Sequence, residues 1–480
     1  MSPELSGYII SILYGLLCLL LAVVLHKFGV SKGYCRKAVH ILVGFEWVIL
    51  YSFMGASIHF LIVCLAYLAL MTLIYFRNIL PMISSDGENA PGTVYYCVAM
   101  SIMAFICLFV PDMMLPFGIG VFCTSFGDGF AGLVGQTIKK YNPKIFRNKT
   151  LFGALANFLF SFATAEIFTV IFDMGLSVWQ CLLIALLSVM LELLGIFGLD
   201  NIFITLATAF LTYGFMYFPA INLYLAPIML TPLVIILVIQ KKALTAKGLV
   251  AALILDLIIS LTLANFGFVL LLVFLFASIA IDKVKKLAKK EDTVTKRGDC
   301  RDEIQVIANG LIPMMLAVVY SCTFNPVFIV AYVAVLAEAF ADTAASGFGV
   351  FSKRTFDLFK MRKCELGLSG GMSFVGTFAS LVAAILFSLL VIPFGIKSFT
   401  VIVVAALSAF LGVVFDSFLG SVLQVKYKCN VCDSLTEREV HCNTPTKKAS
   451  GYRFFDNDVV NISSALFTAI IASLLFVLIA

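Results

Sequence analysis

The segment Phe126-Gly127-Asp128-Gly129-Phe130-Ala131-Gly132 places one carboxylate in a run of small and aromatic residues. It lies within the apolar stretch 112–135, which is long enough to cross a bilayer. Ionisable residues are costly near lipid and usually serve a function there. Small residues also let helices approach closely and expose backbone N–H groups to an anion. The segment predicts either a polar site inside a membrane protein or a helix-packing patch that carries a solvated Asp128.

The whole chain has the composition of a polytopic membrane protein. It is 62% hydrophobic and 12% charged, whereas soluble domains contain about 25% charged residues. Apolar segments of about 20 residues recur along its length and predict an all-α fold with about 16 transmembrane helices. The first of these segments lacks a small-residue cleavage site, so it is expected to be an anchor and not a removable signal.

Basic residues divide the predicted loops into two groups. Six clusters of Lys and Arg fall on one side of the membrane, at 27–37, 139–149, 241–247, 283–301, 353–363 and 426–453. The positive-inside tendency makes that side cytoplasmic and leaves both termini outside. The net charge of +6 therefore belongs to loops beside anionic lipid or nucleotide. It gives no indication of nucleic-acid binding.

Polar residues recur in a similar order in the two halves of the chain. The first half contains Arg36, Lys37, His40, Gly127, Asp128, Lys149, Thr150, Gly153, Glu192, Asp200 and Asn201. The second half contains Arg301, Gln305, Asn309, Asp342, Thr343, Ser346, Ser373, Thr377, Asp416, Gln424, Asn457, Asp458 and Asn461. A boundary rich in proline and lysine near 219–245 separates two divergently related halves, 1–219 and 220–480.

The first-half residues suit phosphate chemistry at a helix end. Arg36 and His40 share one helix face, where Arg could grip phosphate and His could act as donor or base. A helix-end cation beside an interface histidine is the simpler alternative. Lys149 precedes a small-faced helix whose N-terminus would attract phosphate, although ordinary loop basicity also explains it. Asp128 could hold Mg²⁺, with Glu192 and Asp200 as further carboxylates, or Asp200 could be a helix cap.

The second-half residues include a pair of carboxylates. Glu338, Asp342 and Ser346 are spaced by four, which predicts one helix face and either a metal, a shared proton or a structural pair with Arg301. Ser373 and Thr377 belong to a small polar stripe for which a packing role is equally compatible. The polar run that opens the last span, Asp456 to Asn461, is hard to explain by packing alone.

One cysteine cluster differs from the rest. Cys429, Cys432, His441 and Cys442 offer four soft ligands in a hydrophilic loop, which suits structural Zn²⁺ or else loose cytosolic thiols. Most other cysteines fall in apolar spans, where they act as small hydrophobic residues. The odd total of 13 cysteines argues against a disulfide scaffold.

The first half, over roughly 30–218, resembles the membrane-bound phytol kinase and dolichol kinase family. The matching residues are Arg36, Lys37 and His40; Gly127, Asp128, Ala131 and Gly135; Asn142-Pro143; Asn148-Lys149-Thr150 with Gly153; Glu192; and Leu199-Asp200-Asn201. The chain departs from that pattern at Phe152-Gly153-Ala154, where many relatives have an acidic or small residue followed by Gly-Ser.

The second half, over about 225–480, resembles the phytyl-phosphate kinase family. The matching residues are Arg301, Gln305-Val306, Ala308-Asn309-Gly310, Ala341-Asp342-Thr343, Ser346, Gly370-Gly371, Ser373, Gly376-Thr377, Asp416-Ser417, Gln424, Gly451 and Asn457-Asp458-Val459-Val460-Asn461. At Ser346-Gly347-Phe348-Gly349 the chain departs from the usual Ser-Glu-Leu-Gly, so a family carboxylate is missing.

Together the resemblances imply a fusion of two consecutive kinases. The first would phosphorylate a long-chain prenol such as phytol or geranylgeraniol with CTP or another nucleoside triphosphate. The second would convert the monophosphate to the prenyl diphosphate. On this interpretation Asp128, His40, Asp342 and Asp458 are catalytic, and Mg²⁺ binds at Asp128 and Asp342. The alternatives are a cytidylyltransferase that makes a CDP-lipid, a two-repeat transporter, and a lipid-binding protein without enzyme activity.

Overall fold

The computed structural model describes residues 2–77, 79–80, 91–138, 140–195, 198–287, 300–352, 354–357, 359–364 and 368–479. Much of the predicted basic cluster 283–301 lies outside these residues, as do parts of 139–149 and 353–363. The chain forms two compact units, Met1–Ile236 and Leu237–Ala480. Helices dominate both units and strands are short, which confirms the all-α membrane fold expected from the sequence.

The first unit is built from helices and one small hairpin. In chain order the elements are α1 (Pro3–Lys27), α2 (Lys32–Val43), α3 (Glu46–Met54), α4 (Ile58–Arg77), α5 (Gly92–Phe109), α6 (Met114–Phe122), α7 (Gly129–Thr137), β1 (Lys144–Phe146), β2 (Lys149–Thr150), α8 (Leu151–Phe172), α9 (Val178–Leu194), α10 (Asp200–Tyr217) and α11 (Leu225–Lys241). A π-helical turn, Cys123–Asp128, joins α6 to α7.

The second unit adds two small strand clusters to its helices. Its elements are α12 (Ala246–Leu287), α13 (Glu303–Thr323), α14 (Pro326–Gly349), β3 (Thr355–Asp357), β4 (Arg362–Cys364), α15 (Phe374–Leu389), α16 (Phe399–Val422), β5 (Lys426–Lys428), β6 (Leu435–Thr436), β7 (Val440–His441), β8 (Thr444–Pro445), β9 (Lys447–Ser450) and α17 (Asn457–Ile479). Strands β6, β5 and β9 form an antiparallel sheet in that order.

Within the described residues, 13 helical segments are long and apolar enough to cross a membrane. One of them, α12, contains Ala264 with φ 51° and ψ −140°, which is not a helical conformation. A Cβ atom on Gly267 would lie 2.7 Å from Cγ2 of Ile259, whereas residues eight apart in a straight helix are about 12 Å apart. The chain therefore folds back at Ala264, so α12 provides two membrane spans. With α12 counted as two spans, and with α9 and α10 added, the helices account for the roughly 16 spans expected from the sequence.

A buried helix lies at the centre of each unit and carries its principal acid. Phe117, Ile119 and Val121 of α6 are fully enclosed, and the π-turn that follows ends at Asp128. In the second unit, α14 is buried continuously over 330–339 and reaches Asp342 one turn later. A helix that is hydrophobic all round is a core helix and not an amphipathic surface helix. Both acids are therefore held by the most enclosed element of their unit.

Candidate functional site

In the first unit Asp128 lies in a charged group with two residues of α2. The Lys37 ammonium donates to Asp128 Oδ2 at 2.6 Å and to the Asp128 backbone carbonyl at 3.1 Å. His40 Nε2 lies 3.5 Å from the same carboxylate oxygen. Asp128 is only 4% exposed. A buried charge needs such partners, so Lys37 allows Asp128 to remain a carboxylate inside the protein.

The π-helical turn that ends at Asp128 also contacts α2. His40 Nε2 also donates to the backbone carbonyl of Thr124 at 3.1 Å. Since a carbonyl oxygen can only accept, Nε2 carries the proton in this arrangement. Turns of π-helix are rare in proteins, and those that occur are frequently found at functional sites. The sequence Cys123-Thr124-Ser125-Phe126-Gly127-Asp128 gives no periodic signal for such a turn, and sequence reasoning missed it.

A second charged group joins the loop before α8 to α9 and α10. Lys149 Nζ lies 2.5 Å from Glu192 Oε1 and 3.5 Å from Asp200 Oδ2. Burial lowers the pKa of Lys149, but the carboxylates of Glu192, Asp200 and Asp128 together raise it above its ordinary value. The ammonium therefore stays charged at neutral pH. Because Lys149 also interacts with Asp128, the two groups form one charged site.

The residues around this site have unused hydrogen-bonding capacity. Among the described residues, buried Glu192 Oε2, Asn201 Oδ1 and Ser125 Oγ have no hydrogen-bond partner. Buried polar atoms are normally paired, so exceptions need an explanation. Arg36 is half-buried on α2 and makes no hydrogen bond or ion pair with a described residue. Carboxylate and amide oxygens are ligands that Mg²⁺ prefers, and this donor set is chemically suited to it.

An apolar cavity of about 70 Å³ lies close to the charged site. Its wall includes Cys18, Cys64 and Met100, and also Tyr96. The Tyr96 ring packs edge-on against the His40 ring, with 5.6 Å between centroids, so one side chain adjoins both features. Glu46 also reaches the cavity and accepts a hydrogen bond from the Ser11 hydroxyl. The sequence did not single out these residues, since each occurs alone in an apolar span.

In the second unit the predicted polar residues meet around a cavity of about 150 Å³. Seven of its lining residues were predicted from the sequence: Arg301, Gln305, Asn309, Asp342, Thr343, Asn457 and Asn461. They come from the start of α13, the end of α14 and the start of α17. Phe274 and Ala339 complete the lining. Gln305 Oε1 is buried and has no hydrogen-bond partner among the described residues.

Carboxylates gather beside this cavity. Glu338 accepts a hydrogen bond from Ser464 Oγ at 2.9 Å, and Asp416 lies close enough to both Glu338 and Asp342 to interact electrostatically. Like charges in one site favour a shared proton or a bound cation. Asp458 is buried at the start of α17 but does not line the cavity.

Other predicted residues of this half lie outside the cavity lining. Ser346 is exposed and donates to the Thr343 carbonyl at 3.1 Å. Ser373 caps α15, and Thr377 follows it one turn later. Gln424 is buried after α16. None of these four residues lines the cavity.

In the first unit, Asp128 lies in a framework formed by the capped N-terminus of α8 and by α7, the helix that follows the acid. Thr150 caps α8 by accepting a hydrogen bond from the Gly153 N–H at 3.4 Å. A Cβ atom on Gly153 would lie 3.0 Å from the Ala131 carbonyl oxygen, and one on Gly135 would lie 3.0 Å from Thr150 Oγ1. Ala131 and Gly135 follow Asp128 on α7. A larger residue at position 153 or 135 would therefore crowd the contact between the N-terminus of α8 and the helix that follows the acid.

The second unit contains the same framework in the same order. Ser373 accepts from the Gly376 N–H at 3.1 Å. A Cβ atom on Gly376 would lie 2.9 Å from the Ala345 carbonyl oxygen, and one on Gly349 would lie 3.5 Å from Ser373 Oγ. Ala345 and Gly349 follow Asp342 at the intervals by which Ala131 and Gly135 follow Asp128. A short antiparallel hairpin precedes the cap in each unit. Asp128 and Asp342 therefore occupy equivalent positions.

Comparison with known proteins identifies the family. The profile described as integral membrane protein DUF92 matches residues 229–469, which is half of the chain. The chain belongs to this family. Three other proteins are similar in sequence to this DUF92 protein. It is 29% identical to Protein PGR of Arabidopsis thaliana over 43% of this chain and 80% of that protein.

The other two relatives carry kinase names. The DUF92 chain is 27% identical to a phytol kinase of Synechocystis, over 37% of this chain and 78% of the relative. It is also 27% identical to the CTP-dependent diacylglycerol kinase 1 of Schizosaccharomyces pombe, over 29% and 67% respectively. No solved structure matches. The predicted resemblance to membrane-bound phytol and dolichol kinases is confirmed, and the fusion of two kinases stays a prediction.

The ion pair of the DUF92 protein's first unit can be tested by stability. Lys37→Met leaves the Asp128 carboxylate buried without its main partner, which we expect to cost about 3–5 kcal/mol. Asp128→Asn in the same chain should restore much of the loss, because the buried charge is then gone. Thermal unfolding in detergent measures both. The control is Lys32→Met, at an exposed position on the same helix. Equal melting temperatures for the single and double variants would contradict the pairing.

Proposed function

We propose that the protein is a CTP-dependent kinase of long-chain lipid alcohols that works in two steps. The first unit would phosphorylate a prenol of the phytol or geranylgeraniol kind, and the second would phosphorylate the resulting monophosphate. The observation that carries the proposal is the equivalent setting of Asp128 and Asp342, each near a capped helix N-terminus, with Lys37 beside Asp128 and Arg301 in the cavity that Asp342 lines. The kinase names of two relatives support the reaction class and the nucleotide.

The first unit has groups suited to each part of a phosphoryl transfer. The prenol oxygen would attack the γ-phosphorus of CTP, the bond to the bridging oxygen would break, and CDP would leave. Asp128 would accept the hydroxyl proton, since Lys37 keeps it ionised and His40 lies beside both its carboxylate and the Thr124 carbonyl of the same π-turn. Arg36, Lys149 and the N-terminus of α8 would bind phosphate oxygens. Such catalysis consists mainly of positioning and charge neutralisation.

Magnesium has a compatible donor set in both units. Asp128, Glu192 and Asp200 would hold Mg²⁺ in the first unit, and Asp342 with Asp416 in the second. When bound, the ion would neutralise charge on the nucleotide phosphates. Lys149 bridges Glu192 and Asp200 and so keeps two of these carboxylates together.

The apolar cavity of the first unit supports a prenol as the substrate. Its lining by Cys18, Cys64 and Met100 suits a hydrocarbon chain, and Tyr96 connects it to the group around His40. An isoprenoid could lie there with its hydroxyl towards Asp128. Because a prenol in the bilayer is already in an apolar environment, the hydrophobic effect does not favour its transfer into this cavity. The shape of the cavity would therefore select among hydrocarbon chains.

The cavity of the second unit is different and supports a charged substrate. Arg301 could pair with the monophosphate, while the side-chain amides of Gln305, Asn309 and Asn457 could donate to its oxygens. Phosphoryl transfer to that phosphate would form the diphosphate and release a second CDP. Asp342 and Asp458 are the acids proposed for this step.

The basic loops would face the cytoplasm with both sites, and both termini would lie outside.

The reaction can be tested with purified protein, Mg²⁺, γ-labelled CTP and either geranylgeraniol or phytol. Wild type should give labelled diphosphate, and Asp342→Asn should accumulate the monophosphate. Asp128→Asn should lower product formation by about 10²–10⁴-fold, because the proton acceptor is lost. The matched control is Asp112→Asn, an exposed acid of the same unit, which should behave as wild type.

Other outcomes of this assay would reject the proposal. Release of pyrophosphate with incorporation of CMP into lipid would identify a cytidylyltransferase. Absence of labelled lipid with every nucleotide and prenol would remove the kinase function and favour transport. Normal turnover in Asp128→Asn, in protein that is folded by its melting temperature, would reject the role of that residue.

The apolar cavity predicts a change in substrate preference. Cys64→Phe should fill part of the cavity, so activity with geranylgeraniol relative to a shorter prenol such as geraniol should fall by about tenfold or more. The ratio is measured within one preparation, which removes the effect of a partly folded variant. Cys322→Phe, at an exposed position of the second unit, is the control. An unchanged ratio in Cys64→Phe would show that the chain binds elsewhere.

A further inference from the structure

Four soft side chains converge in the segment between α16 and α17. Cys429 Sγ, Cys432 Sγ, a ring nitrogen of His441 and Cys442 Sγ all lie within 4.8 Å of one another. The sequence places Cys429 and Cys432 three apart and makes His441 and Cys442 adjacent. None of these residues belongs to either proposed kinase site. Their convergence therefore needs an explanation of its own.

The distances resemble the edges of a zinc tetrahedron. Bond lengths of about 2.3 Å to sulfur and about 2.1 Å to nitrogen imply S···N edges of about 3.6 Å. His441 Nδ1 lies 3.5 Å from Cys432 Sγ and 3.3 Å from Cys442 Sγ. A pair of cysteines brought together for a disulfide would not require the imidazole at the same spacing. Four ligands at these separations are suited to one ion.

The local backbone explains how adjacent residues can both be ligands. His441 pairs with Thr444 in the β7–β8 hairpin, and the two intervening residues, Cys442 and Asn443, have φ of 49° and 56°. Two consecutive positive φ values are typical of a tight type I′ hairpin turn. This turn brings Cys442 to the side on which His441 lies. Both side chains therefore face the same point.

The other pair of ligands has the features of a metal-binding turn. Cys429 follows β5 directly, and its sulfur accepts a hydrogen bond from the Val431 N–H at 3.4 Å. Asp433 has φ 62°, which turns the chain back after Cys432, and the Cys429 N–H donates to the Ser434 carbonyl at 3.0 Å. Backbone N–H groups directed at sulfur stabilise the thiolate, which is the form that binds metal.

We propose that Cys429, Cys432, His441 and Cys442 bind one Zn²⁺ ion. Four protein ligands close the coordination sphere, so the site is structural and not catalytic. Binding converts three thiols to thiolates and releases their protons, while His441 coordinates as the neutral imidazole. The ion joins the β5–β6 turn to the β7–β8 turn. These strands are too short to form a stable unit by themselves.

The zinc-bound sheet is anchored to the membrane helices through one loop. Lys426 of β5 donates to the Ser369 carbonyl at 2.6 Å, and Glu437, which follows β6, accepts from the Ser369 N–H and hydroxyl. Lys426 and Glu437 are both buried. The loop that contains Ser369 leads to Ser373, the cap of α15. The metal therefore stabilises an extramembrane sheet that holds the start of α15.

Metal content tests the proposal directly. The full chain is purified in detergent under reducing conditions from zinc-supplemented cells. Elemental mass spectrometry should then find about one zinc per chain. Cys432→Ser and Cys442→Ser should each lose most of it. The matched control is Cys322→Ser, an exposed cysteine of α13, which should retain the metal. Wild-type protein with less than about 0.1 zinc per chain would overturn the proposal, whether or not the variants fold.

Thiol reactivity supplies a second readout that does not depend on enzyme activity. In wild type a zinc chelator should increase alkylation of Cys432 and Cys442 severalfold and leave that of Cys322 unchanged. A disulfide between Cys432 and Cys442 in the protein as purified would overturn the proposal. So would alkylation of the two thiols at the same rate with and without chelator.

Discussion

The ion pair between Lys37 and Asp128 is the interaction on which the first unit depends. A carboxylate that is 4% exposed in a membrane-spanning segment cannot remain charged without a partner, and Lys37 supplies one at 2.6 Å. The pair fixes α2 against the π-turn, and His40 reinforces that contact through the Thr124 carbonyl. The ion pair therefore determines both the position of the proposed catalytic acid and the packing of α2 against the π-turn.

The second constraint is the close approach of a capped helix N-terminus to the helix that carries the acid. Gly153 and Gly376 each leave no room for a side chain beside the carbonyl of Ala131 or Ala345. In each unit a hydroxyl residue, Thr150 or Ser373, caps the approaching helix. The surroundings have diverged, since the first unit has an apolar cavity and charged pairs, while the second has a polar cavity lined by amides. This divergence is compatible with the two proposed substrates, a prenol and its monophosphate.

The sequence predicted the membrane fold and most of the polar lining of the second cavity. Arg301, Asp342 and Asn461 could be recognised because charged and amide residues are conspicuous where a span is otherwise apolar. The π-turn, the apolar cavity and the anchoring pair Lys426 and Glu437 could not be predicted. A π-turn changes hydrogen bonding without changing hydrophobic pattern, a cavity depends on which helices meet, and charged residues in a basic loop resemble ordinary surface residues. The equivalence of Gly153 and Gly376 also required distances.

We propose that two equivalent acids, Asp128 and Asp342, serve two consecutive transfers. The most direct measurement supplies geranylgeranyl monophosphate, and not the alcohol, with γ-labelled CTP to Asp128→Asn and to Asp342→Asn. We expect diphosphate from Asp128→Asn at the wild-type rate, because the first transfer has been bypassed, and none from Asp342→Asn. Diphosphate formation that requires Asp128, or that survives the loss of Asp342 in folded protein, would contradict the assignment of the second transfer to the second unit.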